Sequence, residues 1–119
     1  VRDHKSLEAW QEANAVAKGT IRLSRAHWKP YGGAIFSQLQ RASLSVQLNV
    51  AEGYAYGNSP SFTRFLGVAY GSAVETVELL ELAVDSSLIP DDEASALLTH
   101  ARSARNLLLG LLRSRRKFK

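Results

Sequence analysis

The chain has 119 residues, of which 45% are hydrophobic and 22% charged, with a formal charge of +4, a pI near 9.7 and no cysteine. That length suits one domain with a single core, and the lack of cysteine excludes disulfides, thiol catalysis and Cys-ligated metals. No apolar run approaches the roughly 18 residues of a membrane span, and VRDHKSLEAW lacks the apolar centre of a secretory signal, so a soluble, cytoplasmic protein is expected.

Ser6 is placed to cap a first helix from Leu7 to about Ala26, with Leu7, Trp10, Asn14, Ala17, Ile21, Ser24 and Trp28 along one side. Lys29-Pro30-Tyr31-Gly32-Gly33 stops it. A second helix runs from about Ala34 to Tyr56, where Gly57-Asn58 supplies a glycine C-cap. Ser59 then caps a third, with Pro60 at its favoured first position, continuing to about Leu88. Ile89-Pro90 breaks the chain again. The fourth helix starts near Pro90, with Asp91, Asp92 and Glu93 at the positive end of its dipole and Arg113 to Lys117 at the negative end. Long helices joined by short breaks, with no β pattern, predict an all-α, antiparallel up-down-up-down four-helix bundle. Residues 1–119 form its single domain, with a short basic tail from about residue 113.

The second helix carries more apolar surface than one core requires. Phe36, Leu39, Ser43, Val46, Val50 and Gly53 line one side, and Leu44, Leu48, Ala51 and Ala55 line another. A helix that only closes a monomeric core needs one such face, so the second stripe predicts an oligomer interface. Gln38, Arg41, Ser45, Asn49 and Glu52 lie between the stripes, and the spacing of the last four stacks them along one line. They form either a phosphate or partner-backbone site with Arg41 as donor, or a connected seam in which Glu52 is the counter-charge of Arg41.

Nothing in the chain converges on catalysis. His4, His27 and His100 fall in three different segments, and neither a Glu-x-x-His pair nor His-Glu-x-x-His occurs. The acidic line Glu75, Glu78, Glu81 and Asp85 has no histidine in register and reads as a solvated or intersubunit face. No enzymatic activity, metal or cofactor is therefore expected. Gly67 and Gly71 form a G-x-x-x-G pair that suits close helix approach. Tyr54, Tyr56, Tyr70, Phe62 and Phe65 gather around the second turn, as core plugs and interface anchors or as a platform for unpaired bases.

Positive charge collects in two places. Lys18, Arg22 and Arg25 share a face of the first helix, and Arg113, Arg115, Arg116, Lys117 and Lys119 crowd the C-terminus. Both clusters are candidates for sequence-indifferent phosphate contact, and the tail also suits a helix end charged against its dipole.

The stretch Phe36 to Gly53, FSQLQRASLSVQLNVAEG, resembles the pattern Q-L-R-R-A-A-x-S-I-x-x-N-I-A-E-G of the four-helix-bundle proteins encoded in intervening sequences of bacterial large-subunit ribosomal RNA genes. Gln38, Leu39, Arg41, Ala42, Ser45, Asn49, Ala51, Glu52 and Gly53 fit letter for letter. Leu7, Trp10, Gln11 and Ala13 resemble the family's L-x-x-W-Q-x-A opening, and Arg64 to Glu75 its R-F-L-x-I-A-x-G-S-x-x-E segment. Gln40 departs from a usual Arg, and Gln47 from a frequent Pro that would kink the helix. The resemblance implies a non-enzymatic homopentamer. A similar bundle serves as accessory protein of diversity-generating retroelements, which implies RNA or DNA and a reverse transcriptase as partners. The alternative is a purely structural or protein-binding oligomer with no nucleic-acid role.

Overall fold

The computed structural model describes residues 3–116. They build four α-helices, α1 (Glu8–His27), α2 (Gly33–Ala55), α3 (Pro60–Asp85) and α4 (Asp91–Arg116), with single 3-10 turns at His4–Ser6 and Pro30–Gly32. Side-chain bonds between neighbouring helices reveal their directions. Asn14 pairs with Gln47 while Trp28 meets Phe36 across α1 and α2. Ser45 meets Ser72, and Gln38 meets Glu75, across α2 and α3. Glu81 bonds Arg102, and Thr63 bonds Arg115, across α3 and α4. Finally, His27 meets Glu93 and Glu12 meets His100 across α1 and α4. In every pair one index rises as the other falls, so all four contacts are antiparallel and the order is up-down-up-down. Each helix packs on its two neighbours, and α4 closes the square against α1.

Two stacked layers fill the 45 Å length of the bundle. Phe36, Leu39, Leu80, Ile89 and Leu97 occupy the end near the α1–α2 and α3–α4 turns. Val46, Val50, Phe62, Leu66 and Leu108 occupy the other. On α2 the buried residues are those of the first apolar stripe, Phe36, Leu39, Ser43, Val46, Val50 and Gly53, joined by Ala42. Gly53 permits the tightest part of this contact, since a Cβ there would stand 2.7 Å from the Cβ of Phe65.

On α1 the structure keeps Ala17 and Ser24 of the expected side in the core but turns Ile21 and Trp28 out of it. Ala9, Ala13, Val16, Ala17, Thr20 and Ser24 are buried, whereas Ile21 and Trp28 are 40% and 48% exposed. Small side chains let α1 approach α4 closely: a Cβ on Gly19 would fall 2.6 Å from a Leu97 methyl. Close approach buries more of both helices than the bulkier stripe would, and that contact outweighs the size of Ile21 and Trp28.

The helix ends hold three further corrections. Ser6 does not cap α1, because its hydroxyl donates to the Asp3 carbonyl while Asp3 accepts from the Lys5 amide, forming a separate turn before Glu8. Ser59 occupies the N-cap of α3 as expected, yet its hydroxyl makes no cap bond. Helix α3 stops at Asp85 rather than Leu88, since Ser87 turns left-handed at φ 62° and the Leu88 amide returns to the Ala83 carbonyl at 2.8 Å. This is the Schellman arrangement with serine where glycine is usual. At the end of α2 the expected glycine does appear: Gly57 has φ 66° and bonds the Tyr54 carbonyl.

Candidate functional site

The second stripe of α2 faces away from the core. Leu44 is 41% exposed and Leu48 55%; Ala55 is exposed and Ala51 half-buried. These positions point outward because they lie opposite the residues that α2 buries between α1 and α3. On α3 the outward line carries Gly67, Val68, Gly71, Val74, Glu75 and Glu78, with Val68 half exposed. A Cβ on Gly67 or Gly71 would meet nothing within 4 Å. The G-x-x-x-G pair therefore serves no close helix approach inside the protomer.

The polar line of α2 divides into parts. Ser45 Oγ lies 2.7 Å from Ser72 Oγ, and Asn49 Nδ2 donates to the Ser45 carbonyl at 2.8 Å and to its hydroxyl at 3.1 Å. Gln38 Nε2 donates to Glu75 at 2.6 Å. Ser45 and Gln38 stitch α2 to α3 along their outer edge, and Asn49 braces Ser45 from within α2. Arg41 and Glu52 are exposed, and among the described residues no ion pair joins them. Eleven residues of helix separate the two by ~16 Å of rise, so the expected counter-charge contact cannot form within one helix. The connected seam is thus confined to Ser45, Asn49 and Ser72, with Gln38 and Glu75 further along.

The acidic line of α3 is split in the same way. Glu75 turns to α2, and Glu81 accepts from Arg102 of α4 at 3.0 Å, while Glu78 and Asp85 remain exposed. His27 and His100 tie α4 to α1 through Glu93 and Glu12, at 3.0 and 2.7 Å. His4 packs edge-on against Trp10. Among the described residues no group of three or more histidine, aspartate or glutamate side chains is arranged to hold a metal ion.

The basic clusters fare differently. Lys18, Arg22 and Arg25 are all exposed, and among the described residues none is engaged in an ion pair. Lys18 and Arg22 line a groove of about 480 Å³ between α1 and α4, floored by Gly19, Leu23 and Leu97. At the C-terminus Arg113 is exposed. Arg115, half-buried, is engaged within its own chain. Its Nε donates to Thr63 Oγ1 at 2.6 Å, Nη1 to Asn58 Oδ1 at 2.6 Å and Nη2 to the Ser59 carbonyl at 2.8 Å. Arg116 ends α4; its side chain, Lys117 and Lys119 lie outside the described residues. No sequence signal short of the fold marks Arg115, because its partners lie 52 to 57 positions away.

The aromatic residues at the α2–α3 turn form two pairs. Tyr54 meets Phe62 edge-on at 5.8 Å, inside the core layer. Tyr56 stacks on Phe65 at 5.4 Å with 12° between the planes, and the Arg64 guanidinium lies 5.2 Å from the Phe65 ring. Tyr70 packs against the core layer.

An antiparallel four-helix bundle with an outward apolar stripe on α2 and an exposed cationic face on α1 defines the class, an all-α helical bundle. Residues 5–110 match the model of the 23S rRNA-intervening sequence protein family, and the chain belongs to that family. Its fold is similar to the crystal structure of a protein of unknown function from the S23 ribosomal protein family of Bacteroides thetaiotaomicron VPI-5482. The two share 18% identity with a TM-score of 0.79, over 87% of this chain and 97% of the other. No curated protein matches the chain. Among the described residues no helix is long and apolar enough to cross a membrane.

Proposed function

We propose that the protein is a non-enzymatic, cytoplasmic, self-associating module that binds nucleic acid without sequence preference. The observation that carries the binding half is the cationic face of α1, where Lys18, Arg22 and Arg25 stand exposed with no ion pair among the described residues. Uncommitted cations on a rigid helix attract phosphate at little reorganisation cost, and repeated copies multiply a weak contact. Self-association is supported by Leu44 and Leu48, which leave an apolar stripe in water. The family resemblance favours five copies, with RNA or DNA, and a reverse transcriptase, as partners.

RNA binding at low salt, measured by anisotropy, tests this reading. Affinity should fall at least tenfold on Lys18→Glu with Arg22→Glu, and steeply as salt rises. No binding of single-stranded RNA, structured RNA or DNA at low salt overturns it. A purely structural or protein-binding oligomer then takes its place, a reading favoured by the commitment of Arg115 to its own chain.

A further inference from the structure

The bonds Gln38–Glu75 and Ser45–Ser72 fix the level of each α2 residue against α3 along the bundle axis. By that register Leu44 stands level with Gly71, Leu48 with Gly67 and Val68, Arg41 with Glu75, and Glu52 with Arg64. All are exposed, and among them Arg64 lies over the Phe65 ring and Glu75 accepts from Gln38 within the protomer. Helices α2 and α3 occupy adjacent corners of the square, so their outward faces look in different directions and one copy can use both at once.

Rotation about an axis parallel to the bundle leaves heights along that axis unchanged. In a cyclic assembly of that kind, α2 of one copy therefore meets α3 of the next antiparallel and at the same level. The two leucines then face the two glycines, whose missing side chains leave room for them. Arg41 meets Glu75, and Glu52 meets Arg64. Opposite charges fall together at both ends of the apolar contact. Glycine in a helix interior is unfavourable relative to alanine, and inside the protomer nothing uses the space at Gly67 and Gly71. A leucine of a neighbouring helix would.

We propose that copies of this chain associate head to tail, the Leu44–Leu48 stripe of α2 seating on the Gly67–Gly71 face of α3 of the next copy, with Arg41–Glu75 and Glu52–Arg64 pairs flanking the contact. The partner is a second copy, and the contact is heterologous, joining two different faces rather than one face to itself as in a two-fold dimer. This rests on the self-association reading and adds to it which surfaces meet.

The absence of cysteine makes disulfide trapping clean. Leu44→Cys and Gly71→Cys chains are refolded together and oxidised. The mixture should give a linked dimer on a denaturing gel, and neither variant alone should. In a second measurement, light scattering of Arg41→Glu should show association shifted to at least tenfold higher concentration, with Glu75→Arg added to the same chain restoring it. Cross-linking of Leu44→Cys with itself would mean an α2–α2 two-fold contact and overturn the proposal. An oligomer that neither cross-links nor responds to the charge reversals overturns the assignment of faces while self-association stands. An unmodified chain that stays monomeric at micromolar concentration overturns both.

Discussion

The guanidinium of Arg115 lies 4.6 Å above the Phe62 ring, so the last turn of α4 is clamped onto the first turn of α3. All three of its nitrogens are also spent on Asn58, Ser59 and Thr63. The residue fastens the last turn of α4 to the α2–α3 turn, where Phe62 forms part of the core layer with Val46, Val50, Leu66 and Leu108.

Arg115→Ala should therefore lower stability by about 2 kcal/mol, since charge-assisted bonds and a cation–π contact are lost together. Arg115→Lys should recover less than half, because an ammonium cannot reproduce the planar fork. Urea denaturation of the two variants measures the difference. Removal of residues 115–119 should likewise lower the melting temperature, because the Arg115 contacts go with them. An unchanged midpoint would show that the clamp contributes nothing.

Glycine positions should separate cleanly by environment. Gly53→Ala drives a methyl toward Phe65 and Phe62, and overpacking of that kind costs about 1–3 kcal/mol. Gly67→Ala and Gly71→Ala meet open space and should raise protomer helix stability by up to ~1 kcal/mol each. Thermal melts at concentrations below assembly check the second pair without interference from association.

At the α3 C-terminus, Ser87→Gly should stabilise by about 1 kcal/mol, because a side chain at φ 62° bears a steric cost that glycine avoids. Gly57→Ala should cost a similar amount for the converse reason. Chemical denaturation of both variants gives the two signs, and equal signs would contradict the cap geometry.

Coupling along the outer edge of α2 and α3 should follow contact rather than sequence spacing. A double-mutant cycle on Ser45 and Ser72 should give roughly 1 kcal/mol of interaction, while Arg41 and Glu52 in the same protomer should add within about 0.5 kcal/mol. The cycle for the second pair is run under monomeric conditions, and substantial coupling there would require a path between the two that the helix geometry does not provide.

Helix number, direction and turns were legible in the sequence, because each follows from short-range physics. The core stripe of α2 follows from 3.6-residue periodicity, and Gly57 and Pro60 punctuate the chain through their own backbone restrictions. The outward stripe of Leu44 and Leu48 was equally readable, because a second apolar face on one helix cannot share the same core. Tertiary structure alone decided the rest. Whether α1 buries Ala13, Val16 and Thr20 or Ile21 and Trp28 depends on how closely α4 comes, and that distance is set by Gly19 and Leu97, distant in sequence. Arg115 looked like one more charge in a basic tail until Asn58, Ser59 and Thr63 were brought under it. Local patterns encode which side of a helix is greasy; which neighbour that side meets, and which charges are left over for a partner, is settled only when all four helices pack at once.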